Sequence, residues 1–395
     1  MLQPLAVRGA CVIAMAASVL AQAPRVELTG FATLQPDTFA AGPPSGRFRN
    51  AGIRGDGFPS QPVQGFSSIR PDPRRPGWWL VLCDNGYGIR ANSPDFLLRI
   101  YAVRPRWRTS QGGEAQVDVG SWIQLSDPSR LVPFRLARED TAERWLTGAD
   151  FDPESFVSAP DGTLWIGDEF GPFLLHVDRQ GRLVAPPSDV DGLRSPDHPG
   201  VPVPDAGGTS AATVRRSRGF EGLAIANDGT VLFAMLETAP VGGPADTTRI
   251  LEFDISANRF TGRAWAYRFD APGLNATEFV SYAPGRFLTI ERDNAAGREA
   301  RVKRVFAVHL GEPGTEVEKT LVSDLLEIAD PGNVAGHGPA FIFPFITTEA
   351  IWPEDDRTIV LVNDNNYPGG GGRPAGGPKD ASEFIRLRLP QSLPR

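Results

Sequence analysis

Acidic residues recur at the ends of one repeated pattern, and that recurrence is where chemistry is to be sought. Glu154 and Asp168 stand equally far from Asp161-Gly162, and Glu221 and Glu237 are centred on Gly229. Glu278 and Glu291 bracket Pro284-Gly285, Glu349 and Asp364 bracket Asp356-Arg357, and Gln64 and Asp84 are centred on Arg74. Asp-Gly between two apolar runs is the strongest short hairpin signal, so each pair is expected at the open mouth of a hairpin. If the hairpins share one orientation, Asp84, Glu154, Asp168, Glu169, Glu221, Glu237, Glu278, Glu291 and Glu349 gather in one region, with Asp364 a tenth. Two unit charges about 4 Å apart repel by about 4 kcal/mol at an effective dielectric of about 20. Such a cluster needs cations. Arg292 and Arg90 can neutralise part of it, and a divalent ion the remainder. Oxygen donors without a thiolate favour Ca²⁺, with Mg²⁺ second, because Ca²⁺ accepts a crowded oxygen shell. The competing reading is that each glutamate caps backbone amides of the neighbouring repeat.

The elements that must position these groups are strands. Pro153 to Glu169 and Phe220 to Glu237 are two copies of one hairpin, and fainter copies begin at Glu278, Glu349 and Gln64. A second strand pair follows the clearest copies: Leu174 to Asp178 with Arg182 to Val184, and Arg249 to Phe253 with Phe260 to Gly262. Four antiparallel strands per repeat of roughly 40–50 residues mark a propeller blade. The expected fold is therefore all-β, a single β-propeller of five to seven four-stranded blades, six being the favoured number, over residues 22–395. Arg25 to Leu28 and Phe384 to Leu389 are strand-like termini able to close the ring. Blades share one orientation, so all hairpin mouths fall on one face. A two-sheet sandwich would not explain why one hairpin recurs with charged ends. Short helices are expected only at Asp140 to Leu146 and Thr320 to Ala329. Pro186 to Thr213, Pro368 to Gly372 and Gly376 to Pro378 read as loops.

Composition agrees. Glycine (43) and proline (37) are spread along the chain as turns require. A net charge of −7 argues against nucleic acid or an anionic membrane surface as partner. Met1 to Arg8, the apolar run Ala10 to Ala17 and the small residues before Ala21 read as a signal peptide cleaved after residue 21. The expected product is exported, periplasmic or extracellular, and monomeric. No other run approaches the roughly 18 apolar residues of a membrane helix. Cleavage would remove Cys11 and leave Cys83 alone, so no intramolecular disulfide is expected.

Other chemistry is sparse. His176 and His309 lie in strand-like runs and suit packing, whereas His337, in Gly336-His337-Gly338-Pro339, could act as acid or base. No histidine cluster, His198 included, has zinc spacing. Ser67 and Ser155 lack a Gly-x-Ser-x-Gly context. Trp165, Phe170 and Phe233 suit the core between blades.

Several segments together resemble the phytase-like propeller family labelled "esterase-like activity of phytase". They are Pro153-Glu154-Ser155 with Gly167-Asp168-Glu169-Phe170-Gly171, Gly219-Phe220-Glu221-Gly222-Leu223 with Leu236-Glu237, Ile290-Glu291-Arg292, and Glu349-Ala350-Ile351 with Leu361 to Asn366. The resemblance runs from about Gly65 to Leu389. It implies kinship with Ca²⁺-dependent propeller phosphatases that bind phosphate over an acidic face. With only three lysines, this chain would contact phosphate through arginine and metal. The leading expectation is a Ca²⁺-dependent phosphoric ester hydrolase, with Glu154, Asp168, Glu221, Glu237 and Glu291 as ligands or base and Arg292 holding phosphate. A second is a lactonase-type or carboxylic-ester-cleaving propeller with one central metal, to which Asn363, Asn365 and Asn366 would be suited. A third is a non-catalytic binding propeller whose metal is structural.

Overall fold

A computed structural model of the chain describes residues 25–202, 210–373 and 379–395. The expected signal peptide, Cys11 and the Gly376 to Pro378 segment lie outside the described residues. β1 (Glu27–Leu34) comes first, followed by the small pair β2 (Phe39–Ala40) and β3 (Gln61–Pro62). A first four-stranded meander holds β4 (Phe66–Pro71), β5 (Trp79–Cys83), β6 (Arg99–Arg106) and β7 (Gln116–Gln124). A second holds β8 (Pro153–Ser158), β9 (Leu164–Asp168), β10 (Phe173–Val177) and β11 (Ser188–Asp189). The third is β12 (Phe220–Ile225), β13 (Val231–Leu236), β14 (Thr247–Asp254) and β15 (Arg259–Arg268). The fourth is β16 (Asn275–Ala283), β17 (Arg286–Arg292), β18 (Lys303–His309) and β19 (Glu318–Asp324). A short pair, β20 (Ile328–Ala329) and β21 (Ala340–Phe341), precedes β22 (Thr348–Pro353), β23 (Thr358–Asn363) and β24 (Ser382–Arg388). β1 pairs antiparallel with β24, so the two ends of the chain complete one sheet.

The hairpin signals act as expected. Gly162 and Gly229 take φ of +83° and +73°, the left-handed turn region glycine enters without a Cβ penalty. Asp161 and Asp228 each accept the amide two residues on, from Thr163 at 2.8 Å and Thr230 at 3.0 Å. The innermost strands β4, β8, β12, β16 and β22 touch in succession, and β22 touches β4. The ring is closed, the arrangement of a β-propeller. Its core lies between neighbouring sheets. Trp165 and Leu174 of the second pack with Leu223 and Leu232 of the third, and Leu288 and Ile290 of the fourth with Ile351 and Leu361 of the last.

Some expectations give way. Arg182 to Val184 makes only isolated bridges, and the last strand of the second meander is instead Ser188–Asp189, inside the expected Pro186 to Thr213 loop. Thr320 to Ala329 is not helical, because β19 is recruited as the partner of β18, with Phe306 opposite Leu321. Asp140 to Leu146 is a series of turns held by Arg144, whose guanidinium reaches Asp127 at 2.8 Å. Among the described residues helix is confined to the 3-10 turns Arg90–Asn92 and Gly297–Glu299.

The hairpin mouths carry a common irregularity. Each innermost strand slips register by one residue near its start: between Phe66 and Ser68, Pro153 and Ser155, Phe220 and Gly222, Thr277 and Val280, and Thr348 and Ala350. The extra residue is Ser67, Glu154, Glu221 or Glu349, and in the fourth sheet it falls at Glu278-Phe279. A β-bulge re-aims the side chain it carries. Glu278, at φ +50°, is the member drawn elsewhere. Its carboxylate takes both η nitrogens of Arg70 (2.9 and 3.0 Å) and the Ser68 hydroxyl (2.8 Å). The pair is buried among strands of several sheets, with the guanidinium 5.5 Å from the Phe156 ring and 5.4 Å from that of Trp352.

Removing one partner of a buried ion pair strands the other. Arg70→Ala is expected to lower stability by about 3–5 kcal/mol in urea unfolding. The double variant Arg70→Met, Glu278→Leu should recover much of that loss. Equal losses in both would show that packing, not charge, dominates there.

Candidate metal centre

At the bulged ends of the innermost strands lies a cavity of about 220 Å³. Its carboxylates fall into three sets by origin. Glu154, Glu221 and Glu349 are the bulge residues of β8, β12 and β22. Asp84, Glu169, Glu237 and Asp364 each immediately follow the second strand of a hairpin. These four share one bonding pattern: their amides donate to the carbonyls of Gly65, Asp152, Gly219 and Thr347. Asp152 arrives from the segment leading into β8.

The bulge explains which expected residues miss the cavity. Counting outward from Asp161-Gly162 sets Glu154 opposite Asp168, but the slipped register sets Pro153 opposite Asp168. Sheet side chains alternate with a period of two, so a shift of one exchanges faces. Glu169, not Asp168, is then the counterpart of Asp84, Glu237 and Asp364. Asp168 instead accepts the amides of Asp152 (2.7 Å) and Gly171 (2.8 Å), fixing the segment that brings Asp152 to the cavity. Glu291 is spent on Tyr267 Oη (3.0 Å), Lys319 Nζ (2.8 Å) and the Asp270 amide (2.8 Å). Glu278 is held by Arg70. His337 is exposed beside Phe341 and does not line the cavity. Arg90 donates to the carbonyls of Ala149 and Asp197. Asn363 and Asn365 also serve backbone groups, whereas Asn366 lines the cavity.

Two charged lining residues carry no mark in the sequence. Asp152 precedes the repeated hairpin, and only its closeness to Glu154 signals it. Arg218 stands three residues before Glu221, outside the repeat. Arg292, by contrast, was expected and is present. Its Nη2 bridges Glu237 Oε1 (3.0 Å) and Glu349 Oε1 (3.2 Å), and its Nη1 donates to Asn294 Oδ1 (3.0 Å). Arg218 Nη1 lies 2.7 Å from Glu237 Oε2.

Eight carboxylates thus face two guanidinium groups, a net of six negative charges if all are ionised. Burial pushes Asp84, Asp152, Glu154, Glu169, Glu221, Glu349 and Asp364 up, and neighbouring acids push further. Glu154, Glu169 and Glu221 rise well above the usual carboxylate range, first through desolvation and then through a neighbouring charge, Glu221 for Glu154 and Glu237 for the other two. Glu349 rises to about 8, desolvation outweighing the pull of Arg292. Asp152 and Asp364 rise to about 6, again mainly by burial.

Whether these residues suit a cation can be judged from their donors. Carboxylate oxygens lie within 4.8 Å of one another in three buried groups: Asp152, Glu154 and Glu169; Glu154, Glu221 and Glu349; and Glu169, Glu221 and Glu237. Glu154, Glu169 and Glu221 each belong to two groups. Glu169 Oε1 and Glu221 Oε1 are buried without a hydrogen-bond partner, a costly state for a polar atom. An all-oxygen donor set with unspent lone pairs fits a hard divalent cation.

The fold and the cavity define a class: a closed propeller with a carboxylate-lined cavity at one end of the ring. Within that class the chain belongs to the phytase-like family described as "esterase-like activity of phytase", whose model matches residues 61–367. An uncharacterized secreted protein of Arthroderma benhamiae is 31% identical over 182 residues, 38% of this chain and 36% of that protein. The match thus spans little more than a third of that relative. Solved structures similar in outline include the aldose sugar dehydrogenase of Streptomyces coelicolor in its PQQ-bound form (TM-score 0.34, 12% identity, 91% of this chain and 98% of that one). Another is a catalytically inactive virginiamycin B lyase of Staphylococcus aureus (TM-score 0.34, 10% identity, 86% and 71%). Scores this low say nothing about activity. No helix among the described residues is long and apolar enough to cross a membrane.

A group whose folded pKa is raised stabilises the fold below its unfolded value and loses that contribution as pH rises through the folded value. The unfolded acids titrate near pH 4, and Asp152, Asp364 and Glu349 near 6 to 8 in the fold. Kept in chelator, the protein should therefore melt at a higher temperature at pH 5.5 than at pH 8.5. A melting temperature that climbs with pH over that window would contradict the charge-strained cavity.

Proposed function

We propose that the chain is an exported, Ca²⁺-dependent hydrolase of phosphate esters, built as a monomeric propeller of five blades, not the favoured six, with its site in the acidic cavity. One observation carries this reading: three overlapping carboxylate groups share a cavity with Arg218 and Arg292. Export is supported by the N-terminal sequence and by the secreted relative. Mg²⁺ is a poorer candidate than Ca²⁺ because eight carboxylates crowd the cavity and Mg²⁺ retains much of its water.

Glu154, Glu169 and Glu221, each shared between groups, would hold the cations, with Asp152, Glu237 and Glu349 completing the sets. A divalent cation bound there would offset phosphoryl charge and lower the pKa of a bound water. Glu221 Oε1 has a lone pair free to take a proton from an attacking water. The two guanidinium groups give the acidic wall a place for an anion. A single asparagine-held metal acting on a lactone or carboxylic ester draws less support, because the side-chain oxygens of Asn363 and Asn365 already accept the amides of Glu383 and Gly65.

The deciding assay is turnover of a phosphomonoester, phytate, a carboxylic ester and a lactone, with Ca²⁺ and with chelator. Ca²⁺-dependent turnover of at least one phosphate ester is expected. Millimolar Ca²⁺ should also raise the melting temperature, since a ligand bound only by the folded state stabilises it. Glu221→Gln, which removes charge but little volume, should lower turnover by roughly two orders of magnitude while the fold persists. Cleavage of the lactone or carboxylic ester alone would favour the single-metal reading. A Ca²⁺ thermal shift with no hydrolysis would make the metal structural.

A further inference from the structure

We propose that Arg218, and not Arg292, is the group that grips the terminal phosphoryl dianion of the substrate, making the site selective for phosphomonoesters over diesters. The inference rests on the phosphate-ester reading of the cavity and assigns a residue and a substrate class within it. The two guanidinium groups differ in what they have left to give. Arg292 is 3% exposed and joins Glu237, Glu349 and Asn294 from different sheets. It is an internal counter-ion, and turning it toward a ligand would break a bridge between two buried carboxylates. The Arg218 side chain is 33% exposed. Its Nη1 meets Glu237 and the Ser217 carbonyl, while Nε and Nη2 have no hydrogen-bond partner among the described residues.

An arginine with two adjacent N–H groups unspent presents the planar fork that matches two oxygens of a phosphoryl group. The same cavity carries the buried, unpartnered Glu169 Oε1 and Glu221 Oε1, so the arginine is left to meet an anion while the carboxylates meet cations. A monoester offers three terminal oxygens, enough for the fork and a metal together. A diester has only two non-bridging oxygens and a single charge, so it must give up one of those contacts.

The test is calorimetric binding of inorganic phosphate to the Ca²⁺-loaded full chain, with steady-state kinetics on a nitrophenyl phosphomonoester and the matching diester. Arg218→Ala should weaken phosphate binding and raise KM for the monoester about tenfold or more, with a much smaller effect on the diester. Arg218→Lys should recover only part, because an ammonium lacks the fork. The Ca²⁺-induced thermal shift should survive in both variants. Wild-type phosphate affinity in Arg218→Ala overturns the assignment while leaving the phosphate-ester reading standing. Loss of the Ca²⁺ shift in that variant also overturns it, since Arg218 would then act on the metal groups. If wild type shows the Ca²⁺ shift but binds no phosphate, the phosphate-ester reading fails and this inference with it.

Discussion

Repulsion among buried carboxylates is the constraint the rest of the molecule has to contain. Eight acids line a cavity of about 220 Å³, and six of them fall into groups whose oxygens lie within 4.8 Å of one another. Left in water they would separate. Here all are anchored at strand ends, and the strand ends are fixed by sheets whose apolar faces are packed against their neighbours. Closing the ring through β1 and β24 keeps the five innermost strands from spreading apart under that repulsion. Neutralisation is partial: Arg292 and Arg218 meet Glu237 and Glu349, but the group of Asp152, Glu154 and Glu169 has no guanidinium bonded to it among the described residues.

The bulge turns a repeated hairpin into a cavity wall. Without it, alternation along the strand would send Glu154, Glu221 and Glu349 to the face that packs on the next sheet. The fourth sheet shows what happens when the local partner changes. Glu278 occupies the corresponding stretch of β16, yet Arg70 of the first sheet captures it, and Glu291 is drawn off by Lys319 and Tyr267. The cavity therefore takes its acids from four sheets, while the fourth contributes Arg292. In the first sheet a serine, Ser67, stands at the bulge and donates to Glu349. The asymmetry makes room for guanidinium groups in an otherwise acidic wall.

Much of this was legible in the residues. Asp-Gly turns with flanking apolar runs gave the hairpins, and their repetition gave a ring with all mouths at one end. Glu154, Glu221 and Glu349 could be read because they open the repeat. Asp168 was read as the mouth partner of Glu154, with Glu169 beside it in the cluster, because symmetric counting from a turn cannot see a one-residue slip at the far end of the strand. Glu278 was unreadable for another reason: its partner Arg70 is 208 residues away in sequence. Arg218 and Asp152 lie in segments leading into strands, where no periodicity marks a side chain's direction. The apparent helix at Thr320 to Ala329 shows pairing with an existing strand overriding local preference.

Burial and mutual repulsion favour the protonated form of these acids, and under the proposed function a hard cation would replace the protons. Ca²⁺ binding measured by calorimetry at pH 7, in buffers of different ionisation enthalpy, gives the number of protons released per ion bound. A clear net release is expected, larger at pH 6 than at pH 8. Binding without proton release at either pH, or no binding at all, would contradict it.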